Sequence, residues 1–249
     1  MERVKKKVLI LGSSGYIGKN LIEGLRQKYK LLTPTHHELE LLNSSAVNSY
    51  FLHHKIDIVI SCAVVGGSRK EEHVENAFML NSRIFFNIVR NKRHFTRMIH
   101  FGSGAEYDKS ISLIKIKEKH FDKRVPSDEY GFFKYCCSNQ NVYFDYVYIK
   151  DFIRIVEYFI ERIPKEKFYN IGTGKRIDLL TICKKINTIS SKQSKIIVKL
   201  RGLNKEYTCN NSRLMNELKS FKFTAFDKAL SELYNWYKSR KQLIDKHSL

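Results

Sequence analysis

The chain has 249 residues, 43% of them hydrophobic, with 45 lysines and arginines against 25 aspartates and glutamates, for a formal net charge of +20. That length supports one substantial core, or one core with a small lobe, and no apolar stretch is long enough to span a bilayer. Five cysteines, none in a Cys-x-x-Cys pair and two adjacent at Cys136 and Cys137, exclude a spaced metal-ligand motif and fit reduced thiols in a cytoplasmic protein. The lysines are spread through every segment, so the positive charge solvates helix faces and suits a polyanionic small ligand. A nucleic-acid partner is the lesser alternative.

Val8 to Leu11 is aliphatic and runs into Gly12-Ser13-Ser14-Gly15-Tyr16-Ile17-Gly18. Lys19 to Lys30 follows with Leu21, Ile22 and Leu25 at helical spacing, so the order is strand, turn, helix. Gly12 permits the sharp exit from the strand, Gly15 a close approach to a pyrophosphate, and Gly18 close packing of helix on sheet. Phosphates would meet the N–H groups of the helix N-terminus, with Ser14, Tyr16 and Ile17 around them. The spacing is Gly-x-x-Gly-x-x-Gly, not the commoner Gly-x-Gly-x-x-Gly.

Leu31 to Thr35 reads as a second strand, without the acidic residue that usually ends it and binds the adenosine ribose. Its place falls to Thr35, His36 or His37, which leaves both NAD and NADP open, with His36 and Leu41 as candidate contacts. Asn43 or Ser44 caps a short helix through Leu52. Ile56 to Ala63 is a strand apolar enough to be buried on both faces, and Cys62, Ala63 and Val64 stand where a cofactor would cross its end. Glu75 to Arg90 is a long helix turning Ala77, Phe78, Leu80, Ile84, Phe85, Ile88 and Val89 inward, with the polar Asn81 on that face. Arg97 to Ser103 is a fourth strand with Ser103 at its end. Strands alternating with helices predict a doubly wound parallel sheet, with the ligand along the carboxyl ends of its strands.

Lys109 to Ser127 reads as a polar loop. A helix beginning at Asp128 then sets Tyr130 and Lys134 one turn apart on one face. The ammonium favours the phenolate, which makes Tyr130 a candidate proton donor or acceptor. Val142 to Ile149 either adds a strand to the sheet or leaves its edge exposed. Asp151 to Ile163 is an amphipathic helix ending before Pro164. Gly172-Thr173-Gly174-Lys175 lacks the full phosphate-loop spacing and reads as a strand-to-helix turn. Ile177 to Ile189 is expected as helix, Ile196 to Leu200 as strand, and Phe226 to Tyr237 as a closing helix in which Trp236 packs.

Taken together, Gly12-x-x-Gly15-x-x-Gly18, Ala63, Asn81, Phe101-Gly102-Ser103-Gly104-Ala105-Glu106-Tyr107 and Tyr130-x-x-x-Lys134 resemble the NAD-dependent epimerase/dehydratase family of extended short-chain dehydrogenases/reductases. Phe144 to Phe152 as a strand leading into a helix, Phe168 to Gly174 as a later strand and turn, Asn211 to Leu214 and the closing helix extend the likeness nearly end to end. The resemblance implies a Rossmann-like dinucleotide domain at 1–141, binding NAD or NADP, and a shortened substrate-binding region at 142–249. It implies that Ser103, Tyr130 and Lys134 are catalytic, with a nucleotide sugar as substrate and a homodimer formed through the helices at 75–90 and 128–140. Val65-Gly66-Gly67 is similar to a loop in the GDP-fucose synthase branch. That branch has a cysteine two residues after the serine, where this chain has Ala105, which counts against epimerisation by its route. The family also continues the catalytic helix and adds a further strand after it, and some tens of residues there have no counterpart here. A cofactor-binding protein with impaired catalysis is therefore the alternative.

Overall fold

The computed structural model of the chain describes residues 5–65, 76–101, 113–120, 140–141, 143–190, 193–196, 200–203 and 206–240. They divide into two compact units. The first holds the described residues up to 101 together with Ile153–Ile163, and the second holds those from 113 to 152 and from 164 onward.

The first unit is built on four parallel strands, β1 (Lys7–Leu11), β2 (Lys30–Leu32), β3 (Ile58–Ser61) and β4 (Arg97–His100), in the order β2-β1-β3-β4. Register sets Leu9 beside Leu32 and Val59, and Ile60 beside Ile99. β1 from Val8 onward and the whole of β3 are buried, as strands covered on both faces must be. Alternation along β1 sends Leu9 and Leu11 into a cluster with Val59, with Val47 and Phe51 of helix α2 (Ser44–His53), and with Ile84 and Ile88 of α3 (Ala77–Val89). Val8 and Ile10 face the other way. That side carries α1 (Tyr16–Leu25), burying Leu21 and Leu25, and α4 (Ile149–Glu161), burying Ile155, Val156 and Ile160. Gly24 of α1 lies against the Ile153 side chain of α4. Helices thus cover both faces, and the doubly wound parallel sheet expected from the sequence is the fold observed.

The buried pairs on α1, α2 and α3 all recur at i, i+4, the spacing of one helix face. Asn43 caps α2 as expected, its side chain accepting from the N–H groups of Ser45 (3.0 Å) and Ala46 (3.1 Å). Such a cap is worth about 1 kcal/mol.

The second unit holds two smaller sheets. One has the order β5-β10-β7-β8, from β5 (Leu113–Ile116), β10 (Tyr207–Cys209), β7 (Tyr143–Phe144) and β8 (Ile177–Asp178). The other pairs β6 (Gln140–Asn141) with β9 (Leu200–Leu203). Helices α5 (Leu179–Ile189), α6 (Ser212–Leu218) and α7 (Phe226–Ser239) complete it.

Several expectations need correction here. The polar loop at 109–127 contains β5 and a 3-10 turn at Glu118–His120, because Leu113-Ile114-Lys115-Ile116 is a strand-forming run inside polar surroundings. Residues 143–144 do not extend the four-stranded sheet; they pair with β10 and β8 in the second unit. Phe168 to Ile171 is not a strand. Of the strand expected at 196–200, residues 197–199 lie outside the described residues, and a strand is found at Leu200–Leu203. Trp236 is half exposed at 46%, with the Arg240 guanidinium 4.7 Å from its ring centre.

Candidate functional site

In an open parallel sheet, ligands bind at the carboxyl ends of the strands where the chain reverses its direction of winding. In the order β2-β1-β3-β4 that point lies between β1 and β3. Gly12 follows β1 there, and Cys62-Ala63 follow β3.

The three glycines of the turn have different tasks. Gly12 has φ +77°, a left-handed conformation costly for any other residue. A Cβ on it would also fall 2.6 Å from the Ala63 nitrogen, so β1 and β3 leave the sheet in backbone contact. Gly18 would place a Cβ 2.2 Å from the Gly12 carbonyl oxygen and 2.8 Å from Ser13 Cα. Its role differs from the one expected: it seats the helix on the turn itself and not on the sheet. A Cβ on Gly15 would meet only the Gly12 carbonyl oxygen, at 3.4 Å, with open space elsewhere. Gly15 is thus bare towards the outside and is not required by packing.

Gly15 is also the N-cap of α1. No side chain caps this terminus and no acidic residue stands in its first turn. The helix therefore presents the positive end of its dipole beside an unshielded glycine. Ser14 and Tyr16 are exposed and Ile17 is half-buried at the same place. The open space at Gly15 and the uncapped helix N-terminus fit a dinucleotide diphosphate, which Ser14, Gly15, Tyr16 and Ile17 would hold.

The β3 side is held by Asn81 of α3. Its amide accepts from the Val65 N–H at 2.8 Å and donates to the Val65 carbonyl at 3.0 Å. Asn81 therefore positions a loop, since the clamp fixes the backbone just beyond Ala63 and Val64. Val64 is exposed, whereas Cys62 and Ala63 are half-buried. Burial pushes the Cys62 thiol up to about 12, so it is a neutral packing group at physiological pH.

The β2 side is tied to the turn by Ser13, whose hydroxyl donates to the Pro34 carbonyl at 3.1 Å. Beyond it, Thr35-His36-His37-Glu38 forms a turn, with the Glu38 N–H donating to the Thr35 carbonyl at 3.1 Å. Glu38 Oε2 accepts from the Thr35 N–H (2.7 Å) and the Thr35 hydroxyl (2.8 Å), which holds the carboxyl below its usual range. The Thr-x-x-Glu spacing was the available signal for this turn, and it returns a carboxylate to the strand end where none was expected. His36 is exposed, with Nδ1 3.1 Å from a Glu40 carboxylate oxygen. Leu41 is half-buried against the core, and its carbonyl accepts from Asn87 at 2.8 Å. Asn87, buried on α3, joins that loop to the helix and was not anticipated; its place one turn after Ile84 on the inward face is the sign of it.

Ser103, Tyr130 and Lys134 lie outside the described residues, as does the helix expected from Asp128. Among the described residues, no group of His, Cys, Asp and Glu is placed to hold a metal ion. At the opposite, amino-terminal edge of the sheet, a cavity of about 550 Å³ is lined by Lys5, Lys6, Lys7, Lys55, Asp57 and Arg97. Part of that charge serves the C-terminus of α4: Lys6 donates to the Ile160 carbonyl at 3.2 Å and Arg97 to that of Arg162 at 2.6 Å. In the second unit, Asp145 accepts from the N–H groups of Thr173 and Gly174, both at 2.8 Å, so the 172–174 turn grips a carboxylate of its own chain. That disposes of any likeness to a phosphate loop.

The model of the NAD dependent epimerase/dehydratase family matches residues 8–144. A GDP-L-colitose synthase of Yersinia pseudotuberculosis is 29% identical over 108 residues, 41% of this chain and 35% of the relative. A GDP-L-fucose synthase of Azorhizobium caulinodans is 41% identical over 111 residues, 43% of this chain and 36% of the relative. The chain thus covers about a third of the length of these curated relatives. A GDP-mannoheptose C4 reductase from Campylobacter jejuni, solved with NADP bound, superposes with a TM-score of 0.79 at 17% identity, covering 96% of this chain and 100% of the other. A GDP-L-fucose synthetase from Naegleria fowleri gives 0.80 at 13% identity, covering 99% of this chain and 97% of the other. At those identities the likeness is one of fold.

Proposed function

Because the chain belongs to the NAD-dependent epimerase/dehydratase family, we propose that it is an NAD(P)-dependent enzyme of nucleotide-sugar metabolism acting on a GDP-linked sugar. The observation that carries the reading is the turn at the β1/β3 switch point. Gly12 and Gly18 lock its shape from within, while Gly15 stays bare beside an uncapped helix N-terminus. The two curated relatives and the heptose reductase, all named for GDP-sugars, direct the choice of substrate class.

In this reading Gly15 and the N-terminus of α1 receive the diphosphate, and the Asn81 clamp keeps Cys62, Ala63 and Val64 along the path of the cofactor. The bound dinucleotide would supply or accept a hydride. Tyr130 exchanges a proton with the sugar oxygen, Lys134 holds the nicotinamide ribose and favours the phenolate of Tyr130, and Ser103 donates to that sugar oxygen. Residues 1–141 serve the dinucleotide and 142–249 the sugar nucleotide. The protein works as a cytoplasmic homodimer. The exposed Met79 and Phe86, seven residues apart on one face of α3, support the pairing, and no described helix is long and apolar enough to cross a membrane.

The test follows absorbance at 340 nm with reduced dinucleotide and a GDP-linked 4-keto sugar, beside a binding titration. Tyr130→Phe should abolish turnover and keep dinucleotide affinity. Full activity in that variant removes Tyr130 from the mechanism. Dinucleotide binding by the unaltered chain without any turnover would favour the catalytically impaired alternative.

A further inference from the structure

We infer that the site selects NAD over NADP, an inference that rests on the dinucleotide reading above. NADP differs by one phosphate on the adenosine ribose, and a fold of this kind places that ribose beyond the end of β2. A phosphate there needs fixed cations, preferably a guanidinium that can bond it with two N–H groups.

The chain carries 45 lysines and arginines, yet none falls between Leu31 and Asn43 and none within Gly12–Gly18. These are the two segments that Ser13 joins through the Pro34 carbonyl. The first holds Glu38 and Glu40 instead. Glu38 is fixed at the strand end by both bonds from Thr35, and both fall on Oε2. Oε1 is thereby left able to accept from a ribose hydroxyl. His36, when protonated, already faces Glu40 at 3.1 Å, so its charge is compensated inside the loop. His37 lies against His36, with ring centres 6.2 Å apart. The cation nearest in sequence to the turn is Lys19, which stands exposed one residue beyond Gly18. Among the described residues, a 2′-phosphate would therefore meet two carboxylates and no committed cation, whereas a free 2′-hydroxyl meets a carboxylate suited to accept from it. Histidines at this strand end suggested tolerance of the phosphate; their partners remove that argument.

The experiment is equilibrium titration of the full chain with NADH and NADPH, read by protein fluorescence without substrate. NADH should bind at least tenfold more tightly. His36→Arg combined with Glu40→Gln supplies a guanidinium that no longer faces the Glu40 carboxylate and should improve NADPH binding at least tenfold relative to NADH. NADPH binding as tightly as NADH to the unaltered protein overturns the inference. So does an unchanged NADH:NADPH ratio in a folded variant carrying both His36→Arg and Glu40→Gln, since the loop would then not border the ribose. Binding of neither dinucleotide overturns the inference together with the reading beneath it, and is told apart from the other failures by the silence of NADH itself.

Discussion

The same substitution, glycine to alanine, should have opposite consequences at two positions three residues apart. At Gly18 the new methyl would lie 2.2 Å from the Gly12 carbonyl oxygen and 2.8 Å from Ser13 Cα. Both obstacles are backbone, so no side chain can swing aside, and the turn must move by about 1 Å. Overpacking costs about 1–3 kcal/mol, and because both obstacles are backbone the upper part of that range, about 2–3 kcal/mol, applies. Alanine returns about 1 kcal/mol through helix propensity. The balance is a net loss of about 1–2 kcal/mol, and at about 2–4 °C per kcal/mol for a chain of this size, a fall in Tm of about 2–8 °C. At Gly15 the backbone (φ −74°, ψ 169°) suits alanine and the nearest obstacle is at 3.4 Å, ordinary contact distance. A poorer N-cap and a less flexible unfolded chain nearly offset each other there. Gly15→Ala should keep its Tm within about 2 °C and lose at least tenfold in NADH affinity, about 1.4 kcal/mol. Circular dichroism melts and fluorescence titrations of the two variants supply both readouts. A Gly18→Ala protein as stable as the original, or a Gly15→Ala protein of undiminished affinity, would refute the division of labour within the turn.

Asn81→Leu removes both bonds to Val65, and hydrogen exchange at the Val65 amide should quicken by at least tenfold, with weaker dinucleotide binding; protection equal to the original would deny the clamp. Glu38 is held below the usual carboxylate range by its bonds from Thr35. Its contribution is present above the unfolded carboxylate pKa and is lost as pH falls through the lower folded value, so Glu38→Gln should flatten the acid limb of the stability profile, measured by urea unfolding from pH 3 to 6. An acid limb of unaltered slope in that variant would show the Thr35–Glu38 bonds to be inert. Burial lifts the thiols of Cys62 and Cys209 to about 12, while Cys183 is exposed. Iodoacetamide at pH 8 should therefore alkylate Cys183 well ahead of the other two, as read by peptide mass mapping; equal labelling would contradict the buried placement. Asp151, 1% exposed, accepts from the Thr224 N–H at 2.7 Å and its hydroxyl at 2.9 Å, so Asp151→Ala should cost about 2–3 kcal/mol in urea unfolding, and a neutral result would disprove its anchoring role.

What could be read from the sequence, and what could not, divides by the range of the interactions involved. Helices α1 to α4 announce themselves because their burial is periodic, and a period survives in one dimension, while β1 and β3 show as short continuous apolar runs. Leu21 and Leu25, or Ile84 and Ile88, need only their own helix to be recognised. The glycine turn was legible as a turn, but the particular duty of Gly18 was not, because its obstacle is the Gly12 carbonyl and not the sheet. β5, β7, β8 and β10 are two to four residues long, and their pairing brings Leu113 beside Tyr207 and Tyr143 beside Asp178. Partners so far apart in the chain leave no local periodicity, so 109–127 looked like loop and 142–149 like a strand of the wrong sheet. The loop after β2 lies between these extremes. Its Thr-x-x-Glu signal is local, yet its meaning for a ligand depends on Ser13, some twenty residues earlier, bonding to Pro34. A search for an acidic residue at one fixed position finds histidine there and stops. The carboxylate that decides the electrostatics reaches back from Glu38, and only the folded chain shows that His36 has already been matched by Glu40.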